Sequence, residues 1–152
     1  MQKVIAKLLE LSVKYIAVDA LLAKVKYVKG VVALGLHVIS KLRKDARFRR
    51  LYQGPQKARG RKKKFDTGRV KIDDFKDSVV TEITNEKNEK LELRSCVVHS
   101  VSLECTVKVV LVTKRDDNRS GEALLFSTDT DLDATLIYQY YVARFQIEFV
   151  FP

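Results

Sequence analysis

The spacing of apolar residues predicts helices towards both ends of the chain. Residues 1–14 and residues 20–29 show the 3.6-residue period of a helix, and Gly30 is expected to end the second of these helices. A short apolar run of strand composition, residues 15–18, lies between them. Residues 138–151 form a third helical pattern, which is so apolar that the helix must be largely buried.

The middle of the chain has the patterns of β-strands. Residues 31–42 form an apolar run that predicts a buried strand, and residues 94–113 alternate between apolar and polar, which indicates one long half-buried strand or two strands. The polar stretch 66–93 favours short strands and loops. Residues 114–121 are predicted to form a hairpin loop and residues 123–127 its returning strand. These patterns predict an α/β fold with a β-rich section before the last helix.

Positive charge is concentrated between Lys41 and Lys64. This stretch contains twelve basic residues and one acid, Asp45, whereas the whole chain carries a net charge of +10. Such a block usually contacts a phosphate backbone, although a solvated run of charges is the alternative. Aromatic residues among the cations favour contact with nucleic acid. The candidate DNA-binding residues are Arg43, Lys44, Arg47, Arg49, Arg50, Lys57, Arg59, Arg61, Lys62, Lys63 and Lys64.

Length and composition exclude several classes of protein. A chain of 152 residues corresponds to one domain, and no stretch reaches the roughly 18 apolar residues of a membrane span. The first residues lack a signal-peptide cleavage site, so a cytoplasmic protein is expected. Cys96 and Cys105 lack CxxC spacing and are predicted to be reduced, buried thiols. The sequence contains neither a glycine-rich phosphate loop nor a zinc-binding Cys/His set.

Two acids are the best-placed candidates for chemistry. Tyr141, Arg144 and Glu148 fall on one face of the last predicted helix, and a carboxylate in so apolar a helix needs a partner or a metal. Asp19 follows a predicted buried strand, where open α/β sheets place ligand-binding groups, but capping of the next helix is the simpler role. His37 lies inside a predicted buried strand and is expected to be a core residue rather than a ligand.

Two segments resemble bacterial insertion-sequence transposases of the DDE superfamily. The C-terminal catalytic signature of that family resembles LLFSTDTDLDATLIYQYYVARFQIEFVF, in which its tyrosine, arginine and glutamate fall on Tyr141, Arg144 and Glu148. The family's region around its second catalytic aspartate resembles KYIAVDALLAKVKYVKGVVALGLHVISKLRKDARF, which places that aspartate at Asp19. The family's basic GxxRGRxKK stretch matches residues 54–64 loosely.

The resemblance implies a ribonuclease-H-like fold, with a mixed sheet, flanking helices and a β-rich insertion between the second aspartate and the glutamate helix. The chain would then be a single partial catalytic domain over residues 1–152. Residues 1–45 would supply a core strand and helices with Asp19, residues 46–113 the basic segment and the β-rich insertion, and residues 114–152 the final strand and the glutamate helix.

The chemistry that the resemblance implies is phosphoryl transfer that cuts and joins DNA at transposon ends. Asp19 and Glu148 would be catalytic residues and ligands of Mg²⁺ or Mn²⁺, with carboxylates spaced about 6 to 8 Å apart so that two metals can bridge them. Arg144 and Tyr141 would support them by orienting the DNA phosphate and the glutamate. The expected partner is DNA, in the bacterial cytoplasm and at the nucleoid, and a homodimer is left open.

The sequence departs from the family at both ends. The family's first catalytic aspartate belongs upstream of Met1, and a lysine expected seven positions after Glu148 is absent. We therefore expect a fragment with two of three metal carboxylates and with little or no catalysis by the isolated chain. One alternative is a non-catalytic DNA-binding module that acts through residues 41–64. Another alternative is an unrelated basic RNA-binding protein.

Overall fold

The computed structural model describes residues 12–71, 74, 78–116 and 119–144. Within these ranges the chain forms seven β-strands, two α-helices and one short 3-10 helix, Ala20–Leu22. In chain order, the strands and α-helices are β1 (Tyr15–Ala17), α1 (Val25–Ala33), β2 (His37–Leu42), β3 (Phe48–Arg49), β4 (Val79–Thr84), β5 (Lys90–Ser100), β6 (Cys105–Asp116), β7 (Arg119–Ser127) and α2 (Ala134–Ala143).

The seven strands form one mixed sheet with the order β1-β2-β7-β6-β5-β3, and β4 also pairs with β5. β1 and β2 are parallel, whereas every other pair of strands is antiparallel. The predicted α/β fold with a mixed sheet is therefore confirmed. Five of these strands, β3 to β7, come between β2 and α2, where the sequence predicts a β-rich section.

Two apolar cores lie on opposite faces of the sheet. Helix α1 places Val28 in one core, and α2 places Ile137 and Tyr141 in the other. The central strands contribute to both cores because successive side chains point to opposite faces, as Val109 and Val110 do. Each fully buried aliphatic side chain of this kind contributes about 1.5–3 kcal/mol. The predicted half-buried strand is two strands, β5 and β6, and β6 is buried on both faces at its centre.

Helix α1 continues past Gly30, where the sequence predicts its end. The helix ends at Ala33, and its C-cap residue, Leu34, is followed by Gly35. Gly35 has a φ of 80°, a left-handed conformation that glycine adopts easily. The amide of Leu36 donates to the carbonyl of Val31 at 3.4 Å, which is the closing hydrogen bond of a Schellman motif. The prediction of a strand over residues 31–42 is therefore too long, and β2 forms the second half of that range.

The hairpin between β6 and β7 is tighter than predicted. Asp116 pairs with Arg119, and Lys114 pairs with Gly121, so the predicted loop over residues 114–121 is wrong. Two residues are enough to connect antiparallel strands, and polar residues are compatible with strand ends near a turn. The sequence predicts that a strand ends at residue 113 and that a loop begins at residue 114, but both residues lie inside β6.

Helix α2 begins at a local cap. The side chain of Asp133 accepts a hydrogen bond from the amide of Thr135 at 2.8 Å. The described helix ends at Ala143, so the predicted continuation to Phe151 lies outside the described residues, as does most of the predicted N-terminal helix. None of the helices in the described ranges is long and apolar enough to cross a membrane.

Candidate functional site

Asp19 lies at the carboxyl end of the parallel strands. It follows β1 by two positions and directly precedes the 3-10 helix, with which its side chain makes no capping hydrogen bond. Helix α1 starts later, with Lys24 at its N-cap. The simpler prediction for Asp19, that it caps the next helix, holds for its position, because Asp19 is the N-cap residue of the 3-10 helix, but its side chain supplies no capping hydrogen bond. The main partner of its carboxylate comes from the end of α2.

Arg144 connects the end of α2 to Asp19. Its Nη1 donates to Oδ2 of Asp19 at 2.8 Å, although the two residues are 125 positions apart. Its Nη2 donates to the phenol oxygen of Tyr141 at 3.2 Å, and its guanidinium carbon lies 4.7 Å from the centre of the Tyr141 ring. These three side chains form one connected group, which we call the Asp19 cluster.

The Asp19 cluster passes from the core to the surface. Tyr141 lies on the face of α2 that packs into the core, and its burial there raises the pKa of its phenol. The side chain of Arg144 is 14% exposed and that of Asp19 is 59% exposed. The hydrogen bond from Arg144 lowers the pKa of Asp19, so the carboxylate is ionised at neutral pH. Because such exposed pairs add little stability, the main consequence is a carboxylate held in a defined position.

The predicted second carboxylate, Glu148, lies outside the described residues, so its distance to Asp19 stays a prediction. Oxygen ligands of this type suit Mg²⁺ or Mn²⁺. Across residues 12–71, 74, 78–116 and 119–144, however, no group of three His, Cys, Asp or Glu side chains is arranged to hold a metal ion. Asp19 alone supplies one carboxylate, which is not enough to hold the two predicted metal ions.

The other candidate ligands have structural roles. His37 begins β2, is partly buried, and places its Nδ1 3.4 Å from the hydroxyl of Thr128, which agrees with the prediction of a core histidine. Cys96 and Cys105 are free and partly buried. Burial raises the pKa of Cys96 to about 12 and also raises that of Cys105, so both are poor nucleophiles at neutral pH.

The densest part of the predicted DNA-binding segment forms a closed loop, residues 52–64, which we call the basic loop. Its ends are held by a backbone hydrogen bond from Tyr52 to Lys64 at 3.0 Å. Inside it, the side-chain amide of Gln56 bonds both the carbonyl and the amide of Lys63, at 2.8 and 2.9 Å. The left-handed backbone at Gly60, with a φ of 95°, allows the chain to reverse.

The basic loop presents its cations to solvent. Six predicted DNA-binding residues in it are exposed, namely Lys57, Arg59, Arg61, Lys62, Lys63 and Lys64. Within the loop, Lys63 Nζ lies 4.4 Å from the centre of the Tyr52 ring. Just outside it, the guanidinium of Arg49 lies 5.1 Å from the centre of the Phe65 ring. Gln56 and Tyr52 therefore order the loop, and Lys63 also pairs with Asp66 at 4.0 Å. The other five cations of the loop make no ion pair with any residue that the structure describes.

Three further predicted DNA-binding residues already have partners within the protein. Arg50 is partly buried, and its Nη2 donates to the carbonyl of Asp74 at 2.7 Å. Lys44 pairs with Glu122 at 3.2 Å, and Arg43 pairs with Asp45 at 3.1 Å. The latter two pairs are exposed and can open towards an anion, whereas the hydrogen bond of Arg50 joins the segment to the backbone at Asp74.

The sequence did not single out Asp129, which lies at the opposite end of β1 from Asp19. The hydroxyl of Tyr15 donates to its Oδ2 at 2.7 Å. This hydrogen bond, together with burial, raises the pKa of Tyr15 to about 12 and lowers that of Asp129. Asp129 follows β7 by two residues and is 114 positions from Tyr15, so local sequence spacing gave no signal for this contact.

A scan against models of known protein families finds no family that matches the chain, and a search of curated proteins finds no significant match.

Proposed function

We propose that the chain is a transposase domain of the DDE superfamily, with a ribonuclease-H-like core, that acts on DNA by phosphoryl transfer. One observation carries this proposal: Arg144 donates to Asp19 at 2.8 Å across 125 positions of sequence. The two segments that resemble the family are thus in side-chain contact. Such a contact is what a shared catalytic site requires, and local sequence spacing could not have produced it.

Each member of the Asp19 cluster has a role in the proposed function. Asp19 is the catalytic carboxylate, and Arg144 keeps it ionised and fixed in position. Tyr141 anchors the guanidinium to the core through its phenol oxygen. Glu148 and a cofactor of Mg²⁺ or Mn²⁺ belong to the same proposal and rest on the family resemblance. The cellular setting proposed with it is the bacterial cytoplasm, at nucleoid DNA.

A non-catalytic DNA-binding module is the second candidate. It is favoured by the basic loop, whose six exposed cations are held by contacts within the loop and do not depend on the Asp19 cluster. Because phosphate contacts release counterions, binding of this kind weakens steeply as salt increases. The two candidates share DNA as the partner and differ in whether Asp19 takes part in a reaction.

Nicking of supercoiled plasmid tests the proposal without knowledge of the DNA end sequence. The wild-type chain is incubated with Mn²⁺ or Mg²⁺, beside Asp19→Asn, Glu148→Gln and a loop variant in which residues 61–64 are replaced by serine. We expect slow, metal-dependent nicking by the wild type and none by the two carboxylate variants, while those variants keep their DNA affinity. Fluorescence anisotropy with a labelled duplex measures that affinity.

The outcomes separate the two candidates. DNA binding without metal-dependent nicking, and with no change in Asp19→Asn, would support the binding module and reject phosphoryl transfer by this chain. Nicking that persists in Asp19→Asn would assign the activity to another site or to a contaminant. A chain that shows no salt-dependent binding to DNA contradicts both candidates.

A further inference from the structure

We propose a second DNA-backbone site in a basic cleft beside Asp19, separate from the basic loop; this inference rests on the proposed function. The cleft has a volume of about 650 Å³ and is lined by five cations, Lys24, Lys41, Arg43, Arg47 and Arg69. Two of them, Lys24 and Arg69, lie outside the basic segment that the sequence singles out. The tertiary structure gathers the five cations from three separate stretches of the chain.

The cleft lies beside the candidate catalytic residue. Ala20, the residue directly after Asp19, lines one side of the cleft, and Leu42, the last residue of β2, lines another. The cleft is therefore at the carboxyl ends of the parallel strands β1 and β2, where α/β sheets commonly bind ligands. A DNA strand held there would pass next to the Asp19 carboxylate.

The charges in the cleft are mostly uncompensated. Asp45 is its one acidic lining residue, and it pairs with Arg43 at 3.1 Å. Lys24, Lys41 and Arg47 make no ion pair with any residue that the structure describes, and the same holds for Arg69. Like charges brought together in one cleft repel one another, and an anion that binds between them relieves this repulsion.

A polyanion fits this arrangement better than a single phosphate ion. Arg47 lines the cleft, and Arg49, two positions further on, lines a neighbouring cavity with Arg61 and Lys62 of the basic loop. Two residues of extended chain span about 6.6 Å, which corresponds to about two nucleotides of axial rise on one DNA strand. Short strand β3 thus connects the two groups of cations into one continuous path for a phosphodiester backbone.

The test compares two double variants that remove equal charge. Lys24→Ala/Arg69→Ala removes cleft cations outside the basic segment, and Lys87→Ala/Lys90→Ala removes two exposed cations from the hairpin between β4 and β5. Anisotropy with a labelled DNA duplex is measured at several NaCl concentrations. We expect about tenfold weaker binding for the cleft variant, with its log–log salt slope reduced by about two, and little change for the control.

Folding is checked on the same samples. Removing mutually repelling cations should leave the thermal midpoint unchanged or slightly higher, so a cleft variant that binds weakly but melts normally supports the proposal. If the double variant melts lower, Lys24→Gln and Arg69→Gln are measured singly, and each is expected to reduce affinity about threefold at an unchanged melting temperature. Loss of affinity only in variants that unfold would contradict the proposal.

Three results would overturn the cleft as a DNA site. In the first, the cleft variant binds like the Lys87/Lys90 control while the loop variant at residues 61–64 loses affinity, which leaves the proposed function intact. In the second, an RNA duplex of the same length displaces the DNA more effectively than DNA itself. In the third, inorganic phosphate displaces the DNA at matched ionic strength, which would indicate a site for a free anion.

Discussion

The Asp19 cluster and the basic loop represent two ways of building a site. In the cluster, Asp19 and Arg144 are 125 positions apart. They meet because β1 is a strand of the sheet against which α2 packs. In the basic loop, the contacts of Tyr52 and Gln56 with Lys63 and Lys64 join residues at most twelve positions apart. The first arrangement should therefore fail when the core is disturbed, whereas the second should survive.

The largest expected effect comes from a substitution in the core that supports α2 and therefore the Asp19 cluster. Ile137 is fully buried beneath α2, so Ile137→Ala should reduce the free energy of unfolding by about 2–5 kcal/mol. The control is Leu136→Ala, since Leu136 is 37% exposed on the same helix and should lose less than about 1 kcal/mol. Urea denaturation followed by circular dichroism measures both. Equal losses for the two variants would show that α2 is not packed as described.

A second long-range contact, the hydrogen bond from Tyr15 to Asp129, should be visible in the pKa of Tyr15. The hydrogen bond to Asp129 raises the pKa of Tyr15 from 10.0 to about 12, so the stabilisation is complete below pH 10 and is lost as pH rises towards about 12. Asp129→Ala should return the pKa of Tyr15 towards 10, and Asp129→Asn, which keeps an acceptor, should fall between. Ultraviolet titration of the phenolate, with Tyr15→Phe to assign the signal, measures this. An unchanged curve in Asp129→Ala would contradict the contact.

Removal of Arg144 should change the charge state of Asp19 more than it changes stability. The guanidinium lowers the pKa of Asp19, so the stabilising contribution is present above the ordinary carboxyl pKa and is lost as pH falls through the lowered value. In Arg144→Ala the pKa of Asp19 should rise to its ordinary range, and Arg144→Lys should restore part of the shift. Carbon-detected NMR titration of Asp19 measures the change, and a pKa that stays low in Arg144→Ala would rule out this pairing.

The smallest effect on global stability is expected in the basic loop. Gln56→Ala removes two hydrogen bonds to the backbone of Lys63, but both are exposed, so the free energy of unfolding should change by less than about 0.5 kcal/mol. Hydrogen exchange at the amide of Lys63 should nevertheless become faster, because its acceptor is gone. The exchange at Val110 in the core provides the reference. Faster exchange at both amides would mean that the loop is coupled to the core.

The sequence predicted the fold class and the main strands because apolar periodicity depends on which face each residue buries. It misplaced the end of α1 because a glycine inside a helix costs only about 1 kcal/mol, which the burial of Val28 and Val31 outweighs. It overestimated the loop between β6 and β7 because polar residues are compatible both with a turn and with the paired strand ends beside it. These errors all concern boundaries, where local preference is weak and tertiary packing decides.

The sequence by itself determined the density of positive charge in residues 41–64 and the helical spacing of Tyr141 and Arg144, since both follow from neighbouring positions in the chain. Only the tertiary structure decided that Arg144 meets Asp19 and that Lys24 and Arg69 join the cations of the basic segment in one cleft. The physical reason is that such contacts depend on strand order and on the packing of helices against the sheet, which the spacing of neighbouring residues does not specify.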